Sequence, residues 1–489
     1  MSNSIKRNDI YNATYSVLLV ISPLITAPYI ARVLQADGVG IASFAASIVQ
    51  YFTLAADFGT AGFGRRETAY VRDDIEERSL IFWEVMALRC INAVIAAAVY
   101  IAVVMSCVKE YRIIFLIHII DIFSLALEVS WFLSGLEEFE KIIFRNFLVR
   151  IADIAFIFLF VKSHSDLAVS VFGYAIFSAL GTLLMWGYIP ALVSRPKLKT
   201  LRPFRHIKAS LSMFIPSVAI QVYTVLDKSM LGWFTEGGFE NGYYEQSLKI
   251  SRLLLALITS LSGVMIPRIG YLFGKNDHEQ INSYMYRSYN FVWFISVALC
   301  FGVMGVADNF VPWFFGPGYD KVSGLLRYSS LLIIILSFST TTGVQYLIPT
   351  KRQTLFTYSV VIGALVNFPL NLILIPMYQS YGAMTASIVA EFFVSASELY
   401  MVRHELSISK IMMLSVKYLI AGAVMLAVLL LMSSRLEPSM ASTFKMFLAG
   451  AATYMMSLVV LRDKFFMTYS ARSAGFILRK LGFQREEAQ

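Results

Sequence analysis

Charged residues are scarce in this chain, and cysteines are scarcer. Only 15% of the 489 residues are Asp, Glu, Lys or Arg, against 57% apolar, a balance that excludes a soluble domain of this size. Cys90, Cys107 and Cys300 are scattered through apolar segments. Their odd count and lack of metal-ligand spacing exclude a disulfide framework and leave them as packing residues. Also missing are a Gly-rich phosphate loop, a metal-ligand cluster and any water-side segment large enough to house an enzyme site. Segments such as Leu253 to Ile266 do not alternate apolar with polar residues, which excludes a transmembrane barrel.

What is present is a series of apolar runs of about 20 residues, each long enough to cross a bilayer as a helix. The sequence therefore predicts an all-α polytopic membrane protein of about fourteen spans, the first near 10–33 and the last near 443–461. Lys6 and Arg7 precede a run that continues past signal-peptide length, which predicts a retained first span. Arg65, Arg66, Arg72 and Arg78 follow the second span, Arg195 to Lys208 the sixth, Lys351 and Arg352 the tenth, and Arg462 and Lys464 the last. Cations thus concentrate in the even-side loops, which predicts cytoplasmic termini. The formal charge of +9 reports topology, and no nucleic-acid partner is expected. The alternating apolar and basic tail (Phe465, Arg472, Phe476, Leu478, Arg479, Lys480) is expected to lie along the inner membrane surface.

The largest cytoplasmic connection falls after six spans. The expected units are a six-helix lobe over 1–194, a basic linker over 195–209, a second six-helix lobe over 210–404, two additional spans over 405–461 and a basic tail over 462–489. An even count gives both lobes the same orientation, related by a pseudo-twofold axis along the membrane normal. Faint similarity between Pro28 to Gly40 and Met230 to Tyr244 fits that relation.

Intramembrane charge then marks the candidate site. In the seventh span Ser217, Gln221, Thr224 and Lys228 share a helix face, with Asp227 beside the last; in the eighth, Glu245, Lys249 and Arg252 do the same. A cation deep in hydrocarbon costs about 2.5–3.5 kcal/mol, so something must offset three of them. One reading pairs Asp227 with Lys228 and Glu245 with Lys249 as structural glue. The other makes the stripe the wall of a water-filled cavity for an anion. Ser43, Ser47, Gln50 and Asp57 form a polar face on the second span, and Arg89, Arg145 and Arg150 supply further cations in the first half. His118, Asp121 and Glu128 share one side of the fourth span, a pattern that suits neutralisation of nearby arginines or a proton relay. Asp153 joins Arg150 on the fifth span, and Glu391 pairs with Glu398 at i+7 on the twelfth.

Several stretches carry a family resemblance: Gly135, Leu136 and Glu137, followed by Arg145, Asn146 and Arg150; the opening Pro28, Tyr29, Arg32, Gly38 and Gly40; the run Gly64, Arg65, Arg66, Glu67; and Asn367, Pro369, Asn371, Pro376, Tyr381 and Gly382. Together they resemble the polysaccharide-biosynthesis exporters, the Wzx-type O-antigen flippases of the multidrug/oligosaccharidyl-lipid/polysaccharide exporter superfamily. The resemblance implies two six-helix lobes plus two helices, and a central cavity lined by the first, second, seventh and eighth. It implies transfer of undecaprenyl-diphosphate-linked oligosaccharide to the outer leaflet of the bacterial plasma membrane, with ion antiport by H+ or Na+ in some members. Lys228, Lys249 and Arg252 become candidate contacts for the diphosphate or acidic sugars, membrane lipids are surrounding partners, and the polysaccharide polymerase machinery is a candidate partner.

Two rivals compete with that expectation. A drug or cation antiporter would want an acid-dominated cavity, against the cationic seventh and eighth spans. A membrane polymerase or ligase would want a large outward loop, whereas the longest here runs only from about Asn309 to Lys321.

Overall fold

The computed structural model describes residues 2–195 and 198–468. Of the residues discussed above, Arg472, Phe476, Leu478, Arg479, Lys480 and Lys197 lie outside the described residues, as do the side chains of Lys6, Arg7 and Ser217. The apolar runs become helices, and no strand occurs among the described residues: α1 (Ser2–Asp57), α2 (Thr60–Tyr70), α3 (Ile75–Cys107), α4 (Arg112–Ile117), α5 (Ile119–Ala126), α6 (Ser130–Gly135), α7 (Phe139–Phe160) and α8 (Leu167–Trp186). After the linker come α9 (Ile207–Phe234), α10 (Phe239–Gly274), α11 (His278–Phe315), α12 (Asp320–Ser339), a π-helical turn (Thr340–Leu347), α13 (Gln353–Tyr378), α14 (Ser380–Met401), α15 (Ile408–Ser433) and α16 (Met440–Val460).

Ten described helical stretches are long and apolar enough to cross a bilayer. Along α3, Val94, Ile95, Val99 and Met105 are exposed while Glu84 and Arg89 are buried. A protein solvated by lipid has that polarity, apolar outside and polar within, and the chain is a multi-pass membrane protein.

Three expected spans differ from separate straight helices. α1 carries the first and second, parted at Gln35, whose backbone leaves helical geometry (φ 57°, ψ −179°). The fourth is divided among α4, α5 and α6. Its last break has a local cause, because the Glu128 carboxylate accepts from Ser130 N–H at 2.7 Å and caps α6 afresh.

The chain forms two compact units: 1–246 with 315–318 and 364–386, and 247–314 with 319–363 and 387–489. The first is held by a core of Leu34, Ala45 and Val49 on α1 against Ala93, Ala97 and Tyr100 on α3. Alanines at that seam let backbones approach closely. In the second unit, buried aromatics lend their polar tips to carbonyls: Trp293 Nε1 donates to Ile411 O at 3.0 Å and the Tyr454 hydroxyl to Phe294 O at 2.9 Å. Each contact fixes α15 or α16 on α11 and satisfies a donor that lipid cannot.

Between α14 and α15, Glu405 pairs with Arg352 and accepts from the Tyr346 hydroxyl. Burial pushes the Glu405 carboxyl up, but the hydrogen bonds from Arg352 and Tyr346 and the Arg352 charge outweigh it and hold the group below the ordinary glutamate range. A lowered folded-state pKa stabilises the fold above the unfolded value, and that contribution is lost as pH falls through the folded one. Thermal melts of purified protein should therefore show Glu405→Gln less stable than wild type at neutral pH, the gap closing on acidification below the ordinary carboxylate range. A gap that is independent of pH would show that the Glu405 charge does not contribute.

Candidate functional site

The stripe on α9 is built into a polar wall shared with α1 and the start of α10. Gln221 Nε2 donates to Gln50 Oε1 at 3.3 Å, and the Ser229 hydroxyl donates to Ser47 Oγ at 3.0 Å and to the Tyr51 oxygen at 3.1 Å. Thr224 is exposed and turns its hydroxyl back to Gln221 O at 2.9 Å. Lys228 Nζ stands 2.5 Å from Glu245 Oε2, and Ser43 Oγ donates to the same oxygen at 3.2 Å. The lysine therefore meets a carboxylate from the next helix, and Asn241 Nδ2 secures the Lys228 carbonyl at 2.8 Å.

Asp227 points into a second group of polar side chains. It accepts from the Tyr244 hydroxyl and, at Oδ1, from Asn367 Nδ2 at 3.1 Å and Asn371 Nδ2 at 2.6 Å. Asn371 Nδ2 also donates to Asn367 Oδ1 at 2.9 Å. Both asparagines are wholly buried, and Asn371 Oδ1 has no hydrogen-bond partner among the described residues. A carboxylate that accepts from a phenol and two amides in a buried space has its charge met by neutral donors rather than by a cation among these contacts. Asn367, Asn371 and Tyr244 were not among the candidates read from spacing. The i, i+4 asparagine pair on an otherwise apolar helix was the available signal.

Further along α10, in the second unit, Lys249 is half-buried and Arg252 is exposed. Glu391 is half-buried on α14.

The remaining candidates fall into three local groups. Arg89 is 1% exposed and donates to Asp57 Oδ1 at 2.9 Å, Thr60 Oγ1 at 3.2 Å and Leu125 O at 2.5 Å. His118 Nδ1 stands 2.6 Å from Asp121 Oδ2, and its Nε2 is buried with no partner among the described residues. Arg145 donates to Ser130 Oγ at 3.1 Å and lies 3.9 Å from Glu128. Arg150 and Asp153 are 3.7 Å apart on a cavity of 340 Å³ also lined by Asn146 and Tyr174. The structure thus joins the Ser43, Ser47, Gln50, Gln221, Lys228 and Glu245 wall into one surface and leaves the Arg89, His118 and Arg150 groups apart from it.

The chain is similar to several known proteins. A family model described as polysaccharide biosynthesis protein matches residues 5–273. A putative O-antigen transporter of Escherichia coli (strain K12) is 23% identical over 410 residues, covering 82% of this chain and 97% of the relative. A probable low-salt glycan biosynthesis flippase of Haloferax volcanii is 23% identical over 245 residues, half of each chain. Among solved structures, the lipid II flippase MurJ in an inward closed conformation aligns with a TM-score of 0.74 and 18% identity, over 93% of this chain and 98% of that one. An inward-facing MATE-family multidrug transporter of the MOP superfamily aligns with a TM-score of 0.57 and 15% identity, over 81% of this chain and 98% of that one. At such identities the structural likenesses speak to fold alone.

Proposed function

The chain belongs to the polysaccharide biosynthesis protein family, and from that premise we propose that it is a flippase carrying undecaprenyl-diphosphate-linked oligosaccharide, an O-antigen or similar repeat unit, from the inner to the outer leaflet of a bacterial plasma membrane. It is a transporter and not an enzyme, as its relatives' names and the transporter folds it resembles support. Both termini lie in the cytoplasm, and fourteen spans form two six-helix lobes with two further helices. The observation that carries the reading is the polar wall of Ser43, Ser47, Gln50, Gln221, Lys228 and Glu245 inside helices whose outer faces are apolar.

The chemistry of the substrate asks for such a wall. A diphosphate with its sugars cannot cross hydrocarbon, while the polyprenyl tail never needs to leave it. A polar cavity that opens alternately to each face serves the head, and Lys249 and Arg252 meet the diphosphate or acidic sugars. An interior-negative potential favours outward movement of anionic charge by about 2.3 kcal/mol per charge per 100 mV. A coupling cation, H+ or Na+, is carried at Asp227 among Tyr244, Asn367 and Asn371.

The test is flipping of a fluorescent undecaprenyl-diphosphate oligosaccharide in proteoliposomes, with folding of each variant checked. Wild type should flip. Lys249→Ala and Arg252→Ala should each slow it about tenfold, the equivalent of one charge-assisted contact, and Asp227→Asn should remove the response to an imposed H+ or Na+ gradient. Variants that fold and flip like wild type would remove the cationic-cavity reading. A wild type that flips nothing but expels organic cations would make it a drug antiporter.

A further inference from the structure

Apart from the residues of the proposed transport path, the second unit holds a membrane-buried acid. Glu398, on α14, is wholly buried. Its Oε1 accepts from Ser359 Oγ at 3.0 Å and from Ser339 Oγ at 3.3 Å. Its Oε2 is buried with no hydrogen-bond partner among the described residues. No ion pair to Glu398 occurs among the described residues, and the charged group acting on it electrostatically is Glu391, of the same sign, on the same helix. Facing it from α11 is the phenol of Tyr289, which has Tyr346 of the π turn acting on it in turn, and neither supplies a positive charge. Tyr286 on α11 lies in the same electrostatic group as Tyr289, and Arg352 reaches Tyr346 and Glu405 rather than Glu398.

An ionised carboxylate here would keep one oxygen bare in a low-dielectric interior, among the costliest arrangements a fold can hold. A carboxylic acid removes that charge: Oε1 accepts from the two serines, and Oε2 is left as a neutral hydroxyl, whose missing partner costs far less than a bare charge.

The backbone beside the acid is unusual as well. Ser339 ends α12, and Thr340–Leu347 continues as a π-helical turn. Ile348 N–H donates to Gly343 O, five residues back, at 3.1 Å. Such turns hold one residue more than an α-helical turn and revert by shifting the ladder one step, so they recur where a helix must change register. Gly343 permits the contact, because a Cβ there would stand 2.7 Å from Glu398 Oε1 and 2.7 Å from the Phe356 ring. Tyr289 donates to or accepts from Thr342 Oγ1 at 2.8 Å, tying the same turn to α11.

We propose that Glu398 is a proton-binding site of the transport cycle, protonated while the π turn of α12 packs against it and deprotonated when that turn opens. On opening, water reaches Oε2 and takes the proton, and the carboxylate that remains is solvated through the same opening. On reclosing, a proton from water restores the acid. This deepens the flippase reading by naming a second-unit site for a coupling proton, and rests on that reading only for its link to transport.

Two measurements on the whole protein in lipid nanodiscs test it. Infrared spectra at neutral pH should show a protonated-carboxyl stretch, shifted in D2O, that is lost in Glu398→Gln and kept in Glu391→Gln. Hydrogen exchange of residues 340–348, corrected for intrinsic rate, should accelerate about tenfold from neutral to alkaline pH in wild type, as local opening becomes easier. In Glu398→Gln, which copies the protonated acid, it should stay flat. No loss of the band in Glu398→Gln overturns the proton site. A band that titrates without any change in exchange overturns the link to the π turn. Should Glu398→Gln fail to fold, the wild type alone decides, since band and exchange must titrate together. Failure of the vesicle flipping assay with both results intact would remove the substrate assignment and leave the proton site standing, so the two failures are separable.

Discussion

Replacing Asp57 by alanine should destabilise the protein by about 3–5 kcal/mol, the cost of leaving a buried cation without its partner. Arg89 has its guanidinium 2.9 Å from Asp57 Oδ1 and is almost entirely removed from solvent. Its other contacts, Thr60 Oγ1 and the Leu125 carbonyl, are neutral and cannot neutralise it. The aspartate also ends α1 and starts α2: its oxygens accept from Gly59 N–H at 3.2 Å and Ala61 N–H at 3.3 Å, across a bend where Phe58 and Gly59 take φ of 48° and 74°. Asp57→Ala therefore loses an ion pair and a cap together. Asp57→Asn retains the cap and should cost less. The double variant Asp57→Ala/Arg89→Met should recover most of the loss, since removing both charges of a buried pair is often close to neutral. Denaturant unfolding in detergent gives the cycle. If the pair serves to hold α1, α2 and α3 together, the double variant, once folded, should flip substrate within a few-fold of wild type. A folded double variant without activity would instead return Asp57 and Arg89 to the transport path.

The second large effect is steric. Gly242→Ala should abolish the folded protein or sharply reduce its yield, because the new Cβ would stand 1.9 Å from the Ala36 carbonyl oxygen. Gly40→Ala is its counterpart, with a Cβ 1.7 Å from Gly238 O. In both cases the obstacle is backbone, which has no rotamer to escape into. The usual overpacking cost of about 1–3 kcal/mol is therefore a lower bound. Ala36 follows the break at Gln35, and Gly238 adopts φ 75° just before α10, so neither segment has slack to give. Gly263→Ala on the same helix is the control: nothing lies within 4 Å of its Cβ position, and the loss of backbone freedom in the unfolded chain should make it neutral or stabilising by about 0.5–1 kcal/mol. Size-exclusion profiles of the three variants check the prediction, and a normal profile for Gly242→Ala would mean that α1 and α10 are not packed this closely. These glycines lie in the two stretches whose sequences resemble each other, Pro28 to Gly40 and Met230 to Tyr244, and the fold brings the two together.

The polar stripe was legible in part. Helical spacing put Gln221, Thr224 and Lys228 on one face, yet only Gln221 and Lys228 reach the wall on α1 and α10, while Thr224 returns its hydroxyl to its own backbone. Spacing offered Asp227 as a partner for Lys228, its neighbour in sequence. Adjacent residues on a helix diverge by about 100°, and the two side chains go to different partners: Lys228 to Glu245, Asp227 to asparagines 140 and 144 residues away.

The sequence by itself determined the solvent of this protein and its helical architecture. Hydropathy is a sum of local transfer free energies, and a run of about 20 apolar residues pays no attention to what lies beyond it. The family resemblance was legible too, because it rests on short runs of glycine, proline and charge. Only the tertiary structure decided which charges pair, which span breaks at Glu128, which glycines let backbones touch, and that Glu398 meets Ser339, Ser359 and the π turn. Those outcomes depend on distances of a few ångströms between residues far apart in the chain, and a one-dimensional pattern of polarity has no term for them.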